Sequence, residues 1–228
     1  MNEAKRNECM LDPFVGLPGP FSVIYADPPW SYYNDTTLQS PKLVKEGGMR
    51  YPPYPVMASE EIKRLPVKEI AADDSVLFIW TTDYHLERAI AIINAWGFQY
   101  KTIGFAWQKT NKKGDPVCFM GAYTMKTGIE LCLLATRGKN AHKMVKKFGV
   151  RGRIESPRQH HSKKPDEVRS RIVEMFGDVP RIELFARGPA PEGWTVWGNE
   201  VEANSDSRAD LFCQGTSRAN AGGEGREV

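Results

Sequence analysis

The strongest constraint on the fold is a set of five short runs that are apolar almost without interruption. They are FSVIYA from Phe21, SVLFIW from Ser75, YKTIGFAW from Tyr100, IELCLLAT from Ile129 and RIELFA from Arg181. A strand with one wet face alternates apolar and polar residues, whereas a strand covered on both faces does not. Bounded by turn residues, these runs predict strands of a doubly covered sheet, as parallel sheets are. Helical patterns stand between them. In DYHLERAIAIINAWG, residues Leu86, Ala89, Ile90 and Ile93 recur at helical spacing, Asp83 is a candidate N-cap and Gly97 a stop signal. SEEIKRL is a shorter helix, with Ser59 as its cap. PDEVRSRIVEMFG opens on proline and two acids, which suit a first turn, and ends at Gly177. The alternation predicts an α/β domain with a mostly parallel sheet.

The chain has 228 residues, 41% of them hydrophobic and 26% charged, enough for one sizeable core. We expect a single domain over residues 1–201. Two stretches break the alternation. Residues 31–56, which contain GGMRYPPYP, read as a long active-site loop. Residues 202–228 are polar, rich in Gly, Ser and Ala and without periodicity, so a disordered tail is expected. The four cysteines, Cys9, Cys118, Cys132 and Cys213, form no metal-like spacing and fit a reducing compartment. No apolar run approaches a membrane span, and the N-terminus lacks a signal-peptide core, so a cytoplasmic protein is expected.

The first apolar run ends in Asp27-Pro28-Pro29-Trp30. In open α/β sheets, ligands bind beyond the carboxyl ends of strands, and Asp27 stands at such an end. The prolines remove two donors and fix φ, leaving carbonyls that only accept. With the carboxylate they form an acceptor cluster beside an aromatic ring. A flat ring with an exocyclic NH₂ matches it, stacked on Trp30 or a neighbouring tyrosine, with the amine donating to Asp27 and the Pro28 carbonyl. The lone pair of adenine N6 is delocalised into its ring. Two acceptors on its protons free that lone pair and stabilise the positive charge that develops on transfer of a methyl group. Without this context, Asp-Pro-Pro is an ordinary turn and the acid a helix cap.

The motif and its surroundings resemble the MT-A70 family of adenine-N6 methyltransferases, in its bacterial and phage branch. The blocks FSVIYADPPW, YPVMASEEIKRLPV, AADDSVLFIWTTDYHLERAIAIINAWGF, FAWQKTNKKG, GIELCLLATRGK, SPRQHHSKKPDEV and RIELFARGPAPEGWTVWGNEV follow the family's order. The resemblance implies S-adenosylmethionine as methyl donor and a Rossmann-like fold with permuted motif order. No glycine-rich loop precedes Asp27, in keeping with that permutation. The donor-binding strand would be IELFARG, where Glu183, Phe185 and Gly188 echo a methyltransferase's first strand. By the same resemblance, Asp27 and Lys164 lie near the cofactor's methionine end, and Arg187, Asn199 and Glu200 near its ribose and adenine. The family often has glutamine where Glu200 stands. Glu183, an acid in an apolar run, needs either a ligand or an ion pair. The segment GAYTMKTGIE departs from the family pattern, with Lys126 standing near an expected arginine. Glu130, which follows, reads equally as a strand-start residue.

Charge is unevenly spread. Residues 137–164 hold ten Lys or Arg against one acid, Glu155, a local +9 in a chain of net +3. This stretch reads as a loop or extended arm that neutralises phosphates, with Lys143, Lys146, Lys147, Arg151, Arg153, Arg158, His160 and Lys163 as contacts. Its histidines show no zinc spacing. An adenine in a duplex must be flipped out to react, and Tyr32 in the loop after Trp30 could close on it, as could Tyr33, Tyr51 and Tyr54. The sequence thus predicts an adenine-N6 methyltransferase acting on DNA, with RNA methylation or an inactive nucleic-acid-binding partner subunit as alternatives. A homodimer and a monomer both fit.

Overall fold

The structure, a computed structural model, describes residues 12–31, 56–120, 125–126, 128–159, 163–199 and 201. In chain order the elements are β1 (Phe21–Ala26), α1 (Ser59–Arg64), α2 (Val67–Ile70), β2 (Ala71–Thr81), α3 (Leu86–Ala95), β3 (Gln99–Thr110), β4 (Phe119–Met120), β5 (Met125–Lys126), β6 (Ile129–Arg137), β7 (Arg153–Pro157), α4 (Glu167–Phe176), β8 (Arg181–Leu184) and β9 (Thr195–Trp197). Seven strands form one sheet in the order β7-β3-β6-β2-β1-β8-β9, while β4 and β5 pair by themselves. Every pairing in the large sheet is parallel except the two made by β6. The mostly parallel α/β sheet expected from the sequence is therefore present, with one reversed strand inside it.

The unbroken apolar runs have the predicted cause. In β1, Ile24 and Ala26 enter a cluster with Leu77, Ile79, Leu133, Ile182 and Leu184, under Ile62, Ile92, Ile93 and Trp96 of the α1–α3 side. Val23 and Tyr25 point to the other face, with Phe78, Trp80, Phe105 and Trp107, under Val168, Ile172 and Phe176 of α4. Both faces of the central strands are dry, so neither tolerates a polar alternation.

The helix caps differ from expectation. Ser59 is the first residue of α1, and the Ala58 N–H instead donates to the Glu61 carboxylate at 2.8 Å. Asp83 opens a 3₁₀ turn over Asp83–His85, its carboxylate takes the Tyr84 N–H, and α3 begins only at Leu86. Leu86 is exposed, and the buried stripe is Ala89, Ile92 and Ile93. The stop at Gly97 holds: its φ is +80°, and the Phe98 N–H reaches back to the Ile93 carbonyl at 3.0 Å.

Four strands went unread, among them the two-residue β4 and β5. Within the basic stretch, β7 pairs in parallel with β3 and buries only Ile154 between exposed Arg153 and Glu155. At three residues, β9 is too short to carry a pattern. Phe176 stands edge-on to Phe78 at 6.0 Å and joins α4 to the sheet. Phe176→Ala is expected to cost about 3–5 kcal/mol, read as a lower midpoint in urea unfolding with an unchanged slope.

Candidate active site

The chain enters the sheet at its middle. From β1 it steps to β2 on one side, and only later to β8 on the other. The crevice beyond the carboxyl ends of β1 and β8 is thus the switch point of the sheet. Asp27 leaves β1 there, and Phe185, Ala186 and Arg187 leave β8. Because β6 runs the other way, its first residues reach the same edge. Glu130 lies beside Trp107 of β3, two residues before Lys109.

Four charges alternate across this edge. The Lys164 ammonium bonds the Asp27 carboxylate at 2.9 Å and Glu130 at 3.3 Å. The second Glu130 oxygen takes Lys109. Lys164 also lies 5.6 Å from the Trp80 ring centre and Lys109 5.3 Å from that of Trp107. These indoles are fixed in turn: Trp80 donates to the Tyr25 hydroxyl at 2.7 Å, and Trp107 to the Ser156 carbonyl at 3.2 Å. Burial pushes the Asp27 carboxyl above its ordinary range, and Lys164 only partly opposes this. For Glu130, burial pushes up as well, but Lys164 and Lys109 together win and its pKa falls. Burial would lower the pKa of Lys164, yet Asp27 and Glu130 raise it, so it stays charged.

The tetrapeptide does two jobs. The Pro28 carbonyl accepts the Trp30 N–H at 2.8 Å, which fixes its direction, and a carbonyl has a second lone pair. The Pro29 carbonyl takes the Met57 N–H at 3.0 Å. Trp30 corrects an expectation. Its ring is 6% exposed, donates to the Trp80 carbonyl at 3.1 Å and stacks on His85 at 5.3 Å, so it anchors the turn and is no platform for a base.

The other predicted residues separate. Both oxygens of Glu183 are engaged by Arg169, at 2.7 and 2.8 Å, so of its two readings the ion pair is the one present. Phe185 takes a φ of +63°, rare for a residue with a side chain, and its ring meets Trp197 edge-on at 5.6 Å. Arg187 is half-buried, and its charge acts on Asp27. Asn199 is exposed at the end of β9. Beside it, a Cβ on Gly198 would lie 2.3 Å from the Ala186 carbonyl oxygen, so the ends of β8 and β9 touch as only glycine allows. Tyr32, Tyr33, Tyr51, Tyr54, His160 and Glu200 lie outside the described residues, and Lys126 is described only as backbone of β5.

The basic stretch is corrected from one arm into two groups. Lys163 and Lys164 precede α4 at the Asp27 edge, and Arg158 follows β7 there. Lys146 and Lys147 instead donate their backbone N–H groups to Met175 in the last turn of α4, at the opposite edge. Lys143 belongs to a short 3₁₀ turn that soon follows the far end of β6. At about 3.3 Å per residue, the length of the nine-residue β6 separates the two edges by roughly 26 Å. Within the stretch, Lys147 pairs with Glu174, Arg153 pairs with Glu155, and Arg171 of α4 holds the Arg151 and Arg153 carbonyls.

Sequence reasoning passed over Lys109, His85 and Arg169. The one signal for Lys109 was a cation at the end of an apolar run, and its partner Glu130 becomes visible only through strand register.

A mostly parallel sheet with one reversed strand is Rossmann-like, and membership of the family matched by this chain makes the class an S-adenosylmethionine-dependent methyltransferase. A family model described as MT-A70 matches residues 21–200, and the chain belongs to that family. It is 34% identical to the type II methyltransferase M.MunI of a Mycoplasma species, over 86% of this chain and 82% of the relative. It is 26% identical to the human N(6)-adenosine-methyltransferase catalytic subunit METTL3 over 82% of this chain, but spans only 29% of that protein. The human N(6)-adenine-specific methyltransferase METTL4 is 28% identical, over 84% of this chain and 39% of its own length.

The charge order sets the sign of a titration experiment. Lys164 lowers the Asp27 pKa and Glu130 raises it. Lys164→Met is expected to move the Asp27 carboxyl up, and Glu130→Gln to move it down. Carboxyl ¹³C shifts followed against pH read both directly.

Proposed function

We propose that this protein transfers a methyl group to N6 of adenine in DNA. The observation that carries the reading is the Asp27 carboxylate held by Lys164 beside a Pro28 carbonyl whose direction is fixed. Two acceptors side by side at one strand end suit an exocyclic amine with two protons to give. DNA is favoured over RNA because the type II methyltransferase is matched over most of both chains.

The residues present fit S-adenosylmethionine. The turned backbone at Phe185 and the half-buried Arg187 leave the end of β8, and the exposed Asn199 stands just past β9, so these are the groups a cofactor at that edge would meet. When bound, the cofactor supplies an electrophilic methyl group on a sulfonium. Arg187, Asn199 and Glu200 would hold its ribose and adenine, and Phe185 its rings. Lys164 was expected at the methionine end. Two of its donors already engage Asp27 and Glu130, so we assign it chiefly to keeping Asp27 ionised and oriented.

Asp27 and the Pro28 carbonyl accept the two N6 protons and draw the lone pair out of conjugation. As the N6–carbon bond forms, positive charge grows on nitrogen, facing the carboxylate. One N6 proton must then leave. Among the described residues, Asp27, raised above the usual carboxylate range by burial, is the base placed to take it. Positioning of the amine supplies much of the remaining acceleration.

For the phosphates we propose the Asp27-edge cations Arg158 and Lys163, joined by Lys126, Tyr32 and His160. Lys143, Lys146, Lys147, Arg151 and Arg153 would act only on longer DNA that wraps the sheet. Arg158→Ala with Lys163→Ala should flatten the salt dependence of DNA affinity by about two units of slope, measured by fluorescence anisotropy. The same double change at Lys146 and Lys147 should leave a short duplex bound as before.

The deciding experiment offers labelled S-adenosylmethionine with unmethylated duplex DNA, single-stranded DNA and RNA. Label on N6-methyladenine in DNA is expected, and Asp27→Ala should lower the rate by about a hundredfold or more. Label on RNA alone would replace the substrate, and no label on any acceptor would favour a partner subunit.

A further inference from the structure

We propose that His85 is a positioning residue for the Asp27–Pro28 acceptor pair, acting through Trp30 and Ser31. The proposal rests on the reading of that pair as the N6 acceptor. His85 has 0% exposure and stands just beyond β2, in the turn that leads into α3. Its Nε2 lies 2.9 Å from the Ser31 carbonyl and its Nδ1 2.8 Å from the Thr82 hydroxyl. A carbonyl only accepts, so Nε2 carries the proton, and in the neutral ring Nδ1 accepts from Thr82. Burial lowers the His85 pKa and keeps the ring neutral.

The imidazole lies nearly parallel to the Trp30 indole, with ring centres 5.3 Å apart and planes 17° apart. Tyr84 closes its edge at 4.9 Å. Trp30 is thus gripped through its ring by His85 and through its Nε1–H by the Trp80 carbonyl, and its backbone N–H aims the Pro28 carbonyl at 2.8 Å. Trp80 also lies under the Lys164 ammonium. The rigid end of β2 therefore holds both acceptors, Asp27 by way of Lys164 and Pro28 by way of Trp30. A phenylalanine would fill the same space without a polar group to satisfy, at lower desolvation cost. What histidine adds is the hydrogen bond to Ser31, one residue beyond the tetrapeptide. Rotation of the Trp30 peptide by a fraction of an ångström would redirect the carbonyl that must meet N6, and rates fall steeply with such misplacement.

The test compares His85→Phe, which keeps a ring and loses the donor, with His85→Gln, which keeps a donor towards Ser31. We expect His85→Phe to lower kcat for methyl transfer about tenfold or more while the cofactor Kd stays within about twofold. His85→Gln should recover most of the loss. Thr82→Val, which releases the other ring nitrogen with little change in volume, should lower kcat in the same direction and serves if the phenylalanine variant does not fold. A second readout is independent of activity: the ¹⁹F resonance of 5-fluorotryptophan at position 30, assigned with Trp30→Phe, should move in His85→Phe and return in His85→Gln. Unchanged kcat in both His85→Phe and Thr82→Val would overturn the proposal. So would a loss that follows the fall in Tm and is not restored by glutamine. If the wild type transfers no methyl group, the proposed reaction fails, and the fluorine resonance still decides whether His85 holds Trp30.

Discussion

The ammonium of Lys164, between Asp27 and Glu130, is the contact on which the rest of the site depends. A carboxyl removed from water drifts to its neutral form. Neutral Asp27 would turn one of its oxygens into a donor, and an amine with two protons to give would lose an acceptor there. Lys164 opposes that drift. Its own charge persists at depth because two acids flank it, and Glu130 is ionised because Lys109 and Lys164 share it. Such a string adds little to stability, since its desolvation offsets much of its Coulomb attraction. Its members have value together, because deletion of one leaves a buried neighbour without its counter-charge.

The reversed strand makes the string possible. In a fully parallel sheet, the functional edge receives only carboxyl ends of strands. β6 brings an amino end to that edge, and Glu130 arrives with it, beside the outgoing end of β3. Lys109 comes from that neighbouring strand, Asp27 from β1, and Lys164 from the approach to α4. The four residues lie far apart in sequence, and strand register holds them in reach. Arg169 and Glu183 secure α4 against β8 beneath them, with the guanidinium 5.9 Å from the Tyr25 ring centre. That fixes the helix whose approach carries Lys164.

The sequence displayed what depends on local pattern and hid what depends on register. Five strands, the two longer helices and the position of Asp27 at a strand end were legible, because burial on both faces and glycine stops leave direct traces. β7 was hidden by its flanking charges: one buried Ile154 among exposed residues has no period. The basic stretch looked like one patch because charge density along a chain ignores where the chain goes, and here it runs from one sheet edge to the other. Lys109 and Glu130 could be noticed as charges at the ends of apolar runs, but nothing in the linear text says that they meet. Glu183 could be read as costly, and that cost is met by Arg169, fourteen residues earlier on another element.

Trp30 shows how one motif divides its labour. Four residues that look like a single binding surface face two ways. Asp27 engages Lys164 at the strand end and the Pro28 carbonyl takes the Trp30 N–H, while the Pro29 carbonyl and the Trp30 ring turn to Met57, Trp80 and His85. The prolines serve both sides, since fixed φ values transmit the grip on Trp30 back to the Pro28 carbonyl with little slack. A buried aromatic at the fourth place is therefore no loss to recognition. A ring free to stack on a base would be free to move, and the carbonyl two residues before it would move too. Preorganised acceptors need an immobile support, and under the proposed reaction Trp30 supplies that support.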